Sequence, residues 1–210
     1  MTDMSAQIPR LPKDASLTAV GLDGCRGGWV VAYRHGESIR LDVIGQLSDL
    51  NGALAKHAIV MVDMPIGLTE DNSVRECDAL ARKALRPHRA SSVFGVPARA
   101  VTRCEEYSAA NTLSRELSGK GISKQAFYLF PKIRELDDWL LSADRKGHWT
   151  ECHPEVAFAS LNSGVPLEAS KKTESGRLLR QSLMCELGTI NSPIDAALHT
   201  YRRKDVLADD

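Results

Sequence analysis

The feature that most constrains the fold is a pair of apolar runs that each stop on an aspartate at a chain-breaking turn. LTAVGLDG (17–24) ends at Asp23 before Gly24, and AIVMVDMPIGL (58–68) places Asp63 just before Pro65 and Gly67. Between them, WVVAYR (29–34) and SIRLDVI (38–44) follow the glycine-rich turn CRGG and a tight reversal at residues 35–37. Ile39, Leu41 and Val43 alternate with Arg40 and Asp42, the period of a strand with one wet face. Three strands joined by turns this short predict an antiparallel meander. LSDLNGALAKH (47–57) then sets Leu47, Leu50 and Leu54 at helical spacing, with Ser48 as a cap. Ile59–Val62 is almost continuously apolar, which predicts a strand buried on both faces. A helix feeding such a strand puts Asp63 on a central strand beside the first one. The resulting order is β-β-β-α-β, a mixed sheet.

The following stretch is helical. Val74 to Leu85 has the period of a helix, Pro87, Gly95 and Pro97 make residues 86–99 a structured loop, and Thr102 with Glu105 is spaced as a capping box opening a helix to Leu117. Gly119 and Gly121 end that helix, and Ser123 to about Leu141 is helical with an interruption at Pro131. About 74–145 therefore forms a helical insertion after the fourth strand. HWTEC (148–152) resumes the sheet, His153 and Pro154 open a short helix through Leu161, and further helices are expected at Ser175–Leu187 and Pro193–Tyr201. Residues 1–16 are polar, with Pro9 and Pro12, and are expected to be a flexible tail before a single domain over 17–210. No apolar run approaches the roughly 20 residues of a membrane-spanning helix. The five cysteines include no CxxC pair. That combination points to reduced thiols in a cytoplasmic protein.

Carboxylates at strand ends carry the chemistry. If the strands of Asp23 and Asp63 are neighbours, both acids project at one sheet edge. Glu151 ends the third apolar run in the same way, and Glu155 follows one helical turn later. Close carboxylates repel unless a divalent cation lies between them, and Mg²⁺ or Mn²⁺ prefers such oxygen ligands. Cations of this kind serve phosphodiester hydrolysis. The structural alternative is that each acid is a turn residue or cap; Glu155 suits a helix N-terminus by charge alone.

A basic segment lies nearby in sequence. Residues 75–103 hold seven Lys and Arg against two acids, in a chain whose 27 basic and 27 acidic residues otherwise cancel. That neutrality argues against a dedicated basic coat for nucleic acid, though not against a local patch. Arg75, Asp78 and Arg82 fall on one helix face, where Asp78 and Arg82 also have the spacing of an intrahelical ion pair. With Arg99, Ser91 and Ser92 they offer guanidinium and hydroxyl groups suited to phosphate. CRGG lacks the spacing of a phosphate loop, and Cys152 with His153 makes a poor zinc site.

LDGCRGGW (22–29), VDMPIGL (62–68), RECDALAR (75–82), SSVFGVPAR (91–99), GISKQAF (121–127), ECHPEVAF (151–158) and SKKTESGR (170–177) resemble, in order, the motifs of the DUF429 family. That family is predicted to comprise nucleases with a ribonuclease H-like fold. The resemblance implies a five-stranded mixed sheet with Asp23 and Asp63 on its first and fourth strands. It implies catalysis by Asp23, Asp63 and Glu151, with Asp23, Asp63, Glu151 and Glu155 available to a Mg²⁺ or Mn²⁺ ion. It further singles out Arg75, Arg82, His153 and Lys171, which join Ser91, Ser92 and Arg99 of the basic segment as expected substrate contacts. The partner would be nucleic acid or a phosphorylated small molecule, with no membrane. Two alternatives belong to other classes: a non-catalytic binder of nucleic acid or nucleotide, and a phosphotransferase or hydrolase of small phosphorylated substrates. VLADD resembles the start of the family's closing motif, whose helix brings a last carboxylate; here Asp209 or Asp210 would stand in for it.

Overall fold

The computed structural model describes residues 11–36, 38–71 and 73–186. It is an α/β protein. Five strands, β1 (Leu17–Cys25), β2 (Gly28–His35), β3 (Ser38–Ile44), β4 (Leu54–Asp63) and β5 (His148–Glu151), form one sheet in the order β3-β2-β1-β4-β5. β1, β2 and β3 pair antiparallel, whereas β1 and β4 pair parallel. The sheet is mixed, as the sequence pattern predicts, and the arrangement is consistent with a ribonuclease H-like sheet. Among the described residues, no helix is long and apolar enough to cross a membrane.

Two compact units divide the described chain. The first comprises 11–63, 142–150 and 184–186; the second comprises 64–141 and 151–183. In the first unit, alternation along the strands sorts the sheet into two faces. Val20, Leu22, Val31, Tyr33, Val60 and Val62 are buried. The intervening Ile59 and Met61 are 51% and 49% exposed, so β4 is not buried on both sides as its composition predicts. An apolar run fixes that a strand forms there; which of its faces is covered depends on distant chain. On the buried face, the Tyr33 hydroxyl donates to Asp42 Oδ2 at 2.8 Å, which gives a buried carboxylate a partner. Gly28 has φ +137°, and a Cβ there would run into the Ile44 carbonyl, so only glycine lets β2 come this close to the end of β3.

The helix expected over 47–57 is instead a 3₁₀ turn, Leu47–Leu50, followed directly by the start of β4. Leu47, Leu50 and Leu54 are all buried, so their spacing does report burial, but from two different elements. Asn51 and Gly52 make the break, and Ala53 N closes the turn onto the Leu50 carbonyl at 2.9 Å. Asp49, not Ser48, caps it, accepting from Gly45 N and Gln46 N at 3.1 and 3.2 Å. Between β4 and β5, the Gly147 N–H donates to the Lys56 carbonyl at 3.3 Å, and His57 stacks on His148 at 6.2 Å.

The second unit contains α1 (Glu76–Ala84), α2 (Arg99–Thr102), α3 (Tyr107–Ser118), α4 (Lys124–Tyr128), α5 (Phe130–Leu141), α6 (Pro154–Leu161) and most of α7 (Glu174–Glu186). α1 begins with Glu76 and Asp78 and ends with Arg82 and Lys83, each sign at the end of the helix dipole that favours it. The expected capping box at Thr102 and Glu105 does not form. Thr102 Oγ1 donates back to the Arg99 carbonyl within α2, and α3 starts only at Tyr107. Gly119 ends α3 in the left-handed conformation at φ +71°, and Ser123 caps α4 by accepting from Ala126 N at 3.0 Å. α5 starts at Phe130, one residue before Pro131, where the missing N–H costs no helical bond. Phe127 packs edge-on to Tyr107 and Phe130, with ring centroids 5.7 and 5.2 Å apart, and so joins α3, α4 and α5. Leu85, Val93 and Ala159 form a second apolar cluster that joins α1 to α6.

Candidate functional site

In the first unit, β1 and β4 run parallel in the register Val20↔Val60, Gly21↔Met61, Leu22↔Val62 and Asp23↔Asp63. The two aspartates are therefore direct lateral neighbours at the C-terminal ends of adjacent strands. In-register residues of a parallel pair project to the same face, with strands about 4.8 Å apart. That is the face of Ile59 and Met61, and Asp23 itself is exposed to solvent. Two residues 40 positions apart in sequence are thus set side by side by backbone pairing alone. Among the described residues, no group of three or more His, Cys, Asp or Glu side chains is gathered for a metal ion. The pair fits the way Mg²⁺ is usually held, by one or two carboxylates with waters and substrate oxygens completing the octahedron.

Glu151 and Glu155, the other acids expected at a metal, have different partners. In the second unit, Glu151 Oε1 accepts from Arg75 Nη2 at 2.8 Å, and Oε2 accepts from Arg75 Nη1 at 3.0 Å and from Ile66 N at 2.9 Å. Arg75 also donates to Asp78 through Nε at 3.2 Å and Nη2 at 2.5 Å, and to the Ile66 carbonyl at 2.8 Å. Arg75 and Asp78 are buried. Burial pushes the guanidinium pKa down, but the hydrogen bonds it donates to Asp78 and Glu151 outweigh it and hold the group more firmly protonated than a free arginine. This cluster fastens the MPIGL turn, which follows Asp63 in sequence, to the residue that ends β5. Glu155 accepts from Arg180 Nη2 through both oxygens, at 2.7 and 2.8 Å, while Arg180 Nη1 donates to the carbonyls of Ala169 and Gly176. Arg180 also lies over the Phe158 ring at 5.4 Å, so it stitches the ECHPEVAF and SKKTESGR motifs together.

The residues expected to hold phosphate separate. Arg75 and Arg82 line a cavity of about 600 Å³ in the second unit, together with Asp78, Phe94, Gly95, Lys120 and Ile122 among others. Arg82 braces its wall by donating from Nε to the Val93 carbonyl at 3.2 Å and from Nη2 to the Phe94 carbonyl at 2.9 Å. Arg99, Ser91, Ser92, His153 and Lys171 are not part of this lining. Arg99 pairs with Asp137 at 2.9 Å and with Glu70, tying α2 to α5, and these hydrogen bonds raise its pKa. Ser92 Oγ donates to the Arg89 carbonyl at 2.7 Å, the Ser92 carbonyl lies 3.3 Å from His153 Nε2, and Ser91 is exposed. Lys171 lies exposed in the turn before α7, whose start is capped by Thr173 accepting from Gly176 N at 3.2 Å. Asp209 and Asp210 lie outside the described residues.

A family model described as "Protein of unknown function (DUF429)" matches residues 21–210. The chain belongs to the DUF429 family. No curated protein and no solved structure matches the DUF429 chain.

Sequence reasoning missed three side chains in this DUF429 protein. Arg180 is one of two arginines at i, i+3 spacing on α7, and nothing local marks it, rather than the exposed Arg177, as the buried one. Lys120 sits between Gly119 and Gly121, a turn that reads only as a helix stop. Asp137, buried and paired with Arg99 and Arg103, gives no signal until α2 and α5 are known to meet.

Proposed function

We propose that this protein hydrolyses phosphodiester bonds of nucleic acid with a divalent cation, Mg²⁺ or Mn²⁺, held by Asp23 and Asp63. The observation that carries the reading is the register that makes these two acids lateral neighbours at the carboxyl ends of parallel strands. When bound, such a cation supplies a polarised phosphoryl oxygen and a water acidic enough to attack. The chain's own contribution is placement. Backbone pairing sets the two aspartates level on adjacent strands, so each carboxylate starts from a fixed frame. Arg75 would act through position, by locking Glu151 and the 66–68 turn, not by touching substrate. Five cysteines without a disulfide fit a cytoplasmic site of action.

The test is hydrolysis of single- and double-stranded DNA, RNA and their hybrid by the full chain with Mg²⁺ or Mn²⁺. Cleavage of at least one form is expected, abolished by chelation and by Asp23→Asn, which removes a negative ligand at nearly constant volume. Absence of cleavage of every form, or an Asp23→Asn variant as active as the parent, overturns the reading.

A further inference from the structure

We infer that the 600 Å³ cavity of the second unit is a binding site for a small organic phosphate of the mononucleotide class. Its volume falls within the range that encloses small ligands and cofactors. Its charges are not balanced. Arg75 and Asp78 neutralise one another at its wall, whereas neither Arg82 nor Lys120 forms an ion pair among the described residues. Arg82 spends Nε and Nη2 on the Val93 and Phe94 carbonyls, which aligns the guanidinium and leaves Nη1 without an acceptor among the described residues. A braced guanidinium, and a lysine on the same lining, suit a phosphate.

The remaining wall mixes apolar side chains with hydroxyls. Phe94, Val96, Pro97, Ile122 and Ala126 line it beside Ser73, Ser114, Ser118 and Ser123, so an inorganic anion would leave the apolar part unfilled. A ring system attached to the phosphate would cover it, with Phe94 available to stack. The wall is also built in advance. Asn111 Oδ1 accepts from Ile122 N at 3.0 Å, Tyr107 donates to the Ile122 carbonyl at 2.9 Å, and Ser114 donates to the Lys120 carbonyl at 2.8 Å. The turn that presents Lys120 is therefore held on three sides before any ligand arrives, and little ordering opposes binding.

The inference does not rest on the aspartate pair. It is tested by calorimetric titration of the full chain with the four 5′-ribonucleoside monophosphates, adenosine and inorganic phosphate. At least one monophosphate is expected to bind, with adenosine and inorganic phosphate at least ten-fold weaker. Two variants locate the site. A Cβ at Gly95 meets nothing within 4 Å, so Gly95→Leu adds bulk at the cavity lining without a clash, and the exposed Lys120 side chain is removed by Lys120→Ala. Each should weaken binding at least ten-fold with unchanged thermal melting, while Asp23→Asn binds like the parent. The proposal is overturned if no monophosphate binds, if both variants bind as the parent does, or if Asp23→Asn alone removes binding. Failure of nucleolytic activity leaves it standing.

Discussion

Replacing Arg75 by methionine isolates the cluster that joins the 66–68 turn to Glu151. Arg75 makes five hydrogen bonds, to Asp78, Glu151 and the Ile66 carbonyl, with its side chain only 4% exposed. Methionine keeps much of the stem volume and removes every donor. Asp78, 7% exposed, is then a buried carboxylate without its cation, the situation that costs about 3–5 kcal/mol. Glu151 adds little, because it is 27% exposed and keeps the Ile66 N–H. Urea unfolding followed by far-ultraviolet circular dichroism should register a loss of about 3–5 kcal/mol. The double variant Arg75→Met/Asp78→Leu should regain most of it, because an apolar pair removes the stranded charge together with its partner. A single variant that loses less than about 1 kcal/mol, or a double variant less stable than the single, would refute the assignment of that energy to a stranded Asp78.

Arg180→Met should destabilise by a similar amount, about 3–5 kcal/mol in the same unfolding assay, because Glu155 is 12% exposed and both its oxygens accept from this one arginine; a change within about 0.5 kcal/mol would show that Arg180 only covers Phe158. Acid should also report on α5. Hydrogen bonds from Arg103, opposed by some desolvation, hold the Asp138 carboxyl below the usual carboxylate range. A carboxyl lowered on folding adds stability above its unfolded pKa of about 3.9 and loses it as pH falls through the folded value. The melting-temperature gap between parent and Asp138→Asn should therefore be small, since Asp138 is 58% exposed, and should close in acid; a gap constant throughout the acid range contradicts the pairing.

Local chemistry was legible in the sequence, and long-range pairing was not. The meander follows from alternation and short turns, the end of α3 from Gly119 and the break before α5 from Pro131, each decided within a few residues. The register of Asp23 and Asp63 was also accessible, because both acids end apolar runs and a parallel pair brings such ends level. Leu47, Leu50 and Leu54 misled because burial has the same signature whether one helix or two successive elements supply it. Thr102 and Glu105 had the spacing of a capping box, but the Thr102 hydroxyl finds the Arg99 carbonyl first. Glu151 and Glu155 looked like metal ligands because a carboxylate at a strand or helix end carries no mark of its partner. Their arginines lie 76 and 25 positions away, beyond any local pattern.

The central claim is that Asp23 and Asp63 hold one divalent cation between them. Calorimetric titration of Mn²⁺ into the parent, Asp23→Asn and Asp63→Asn tests it without knowledge of the substrate. The account predicts one site in the parent and at least ten-fold weaker binding in each variant, since either amide removes half of the protein's anionic ligands. Equal Mn²⁺ binding by all three proteins, or none by the parent, would contradict it.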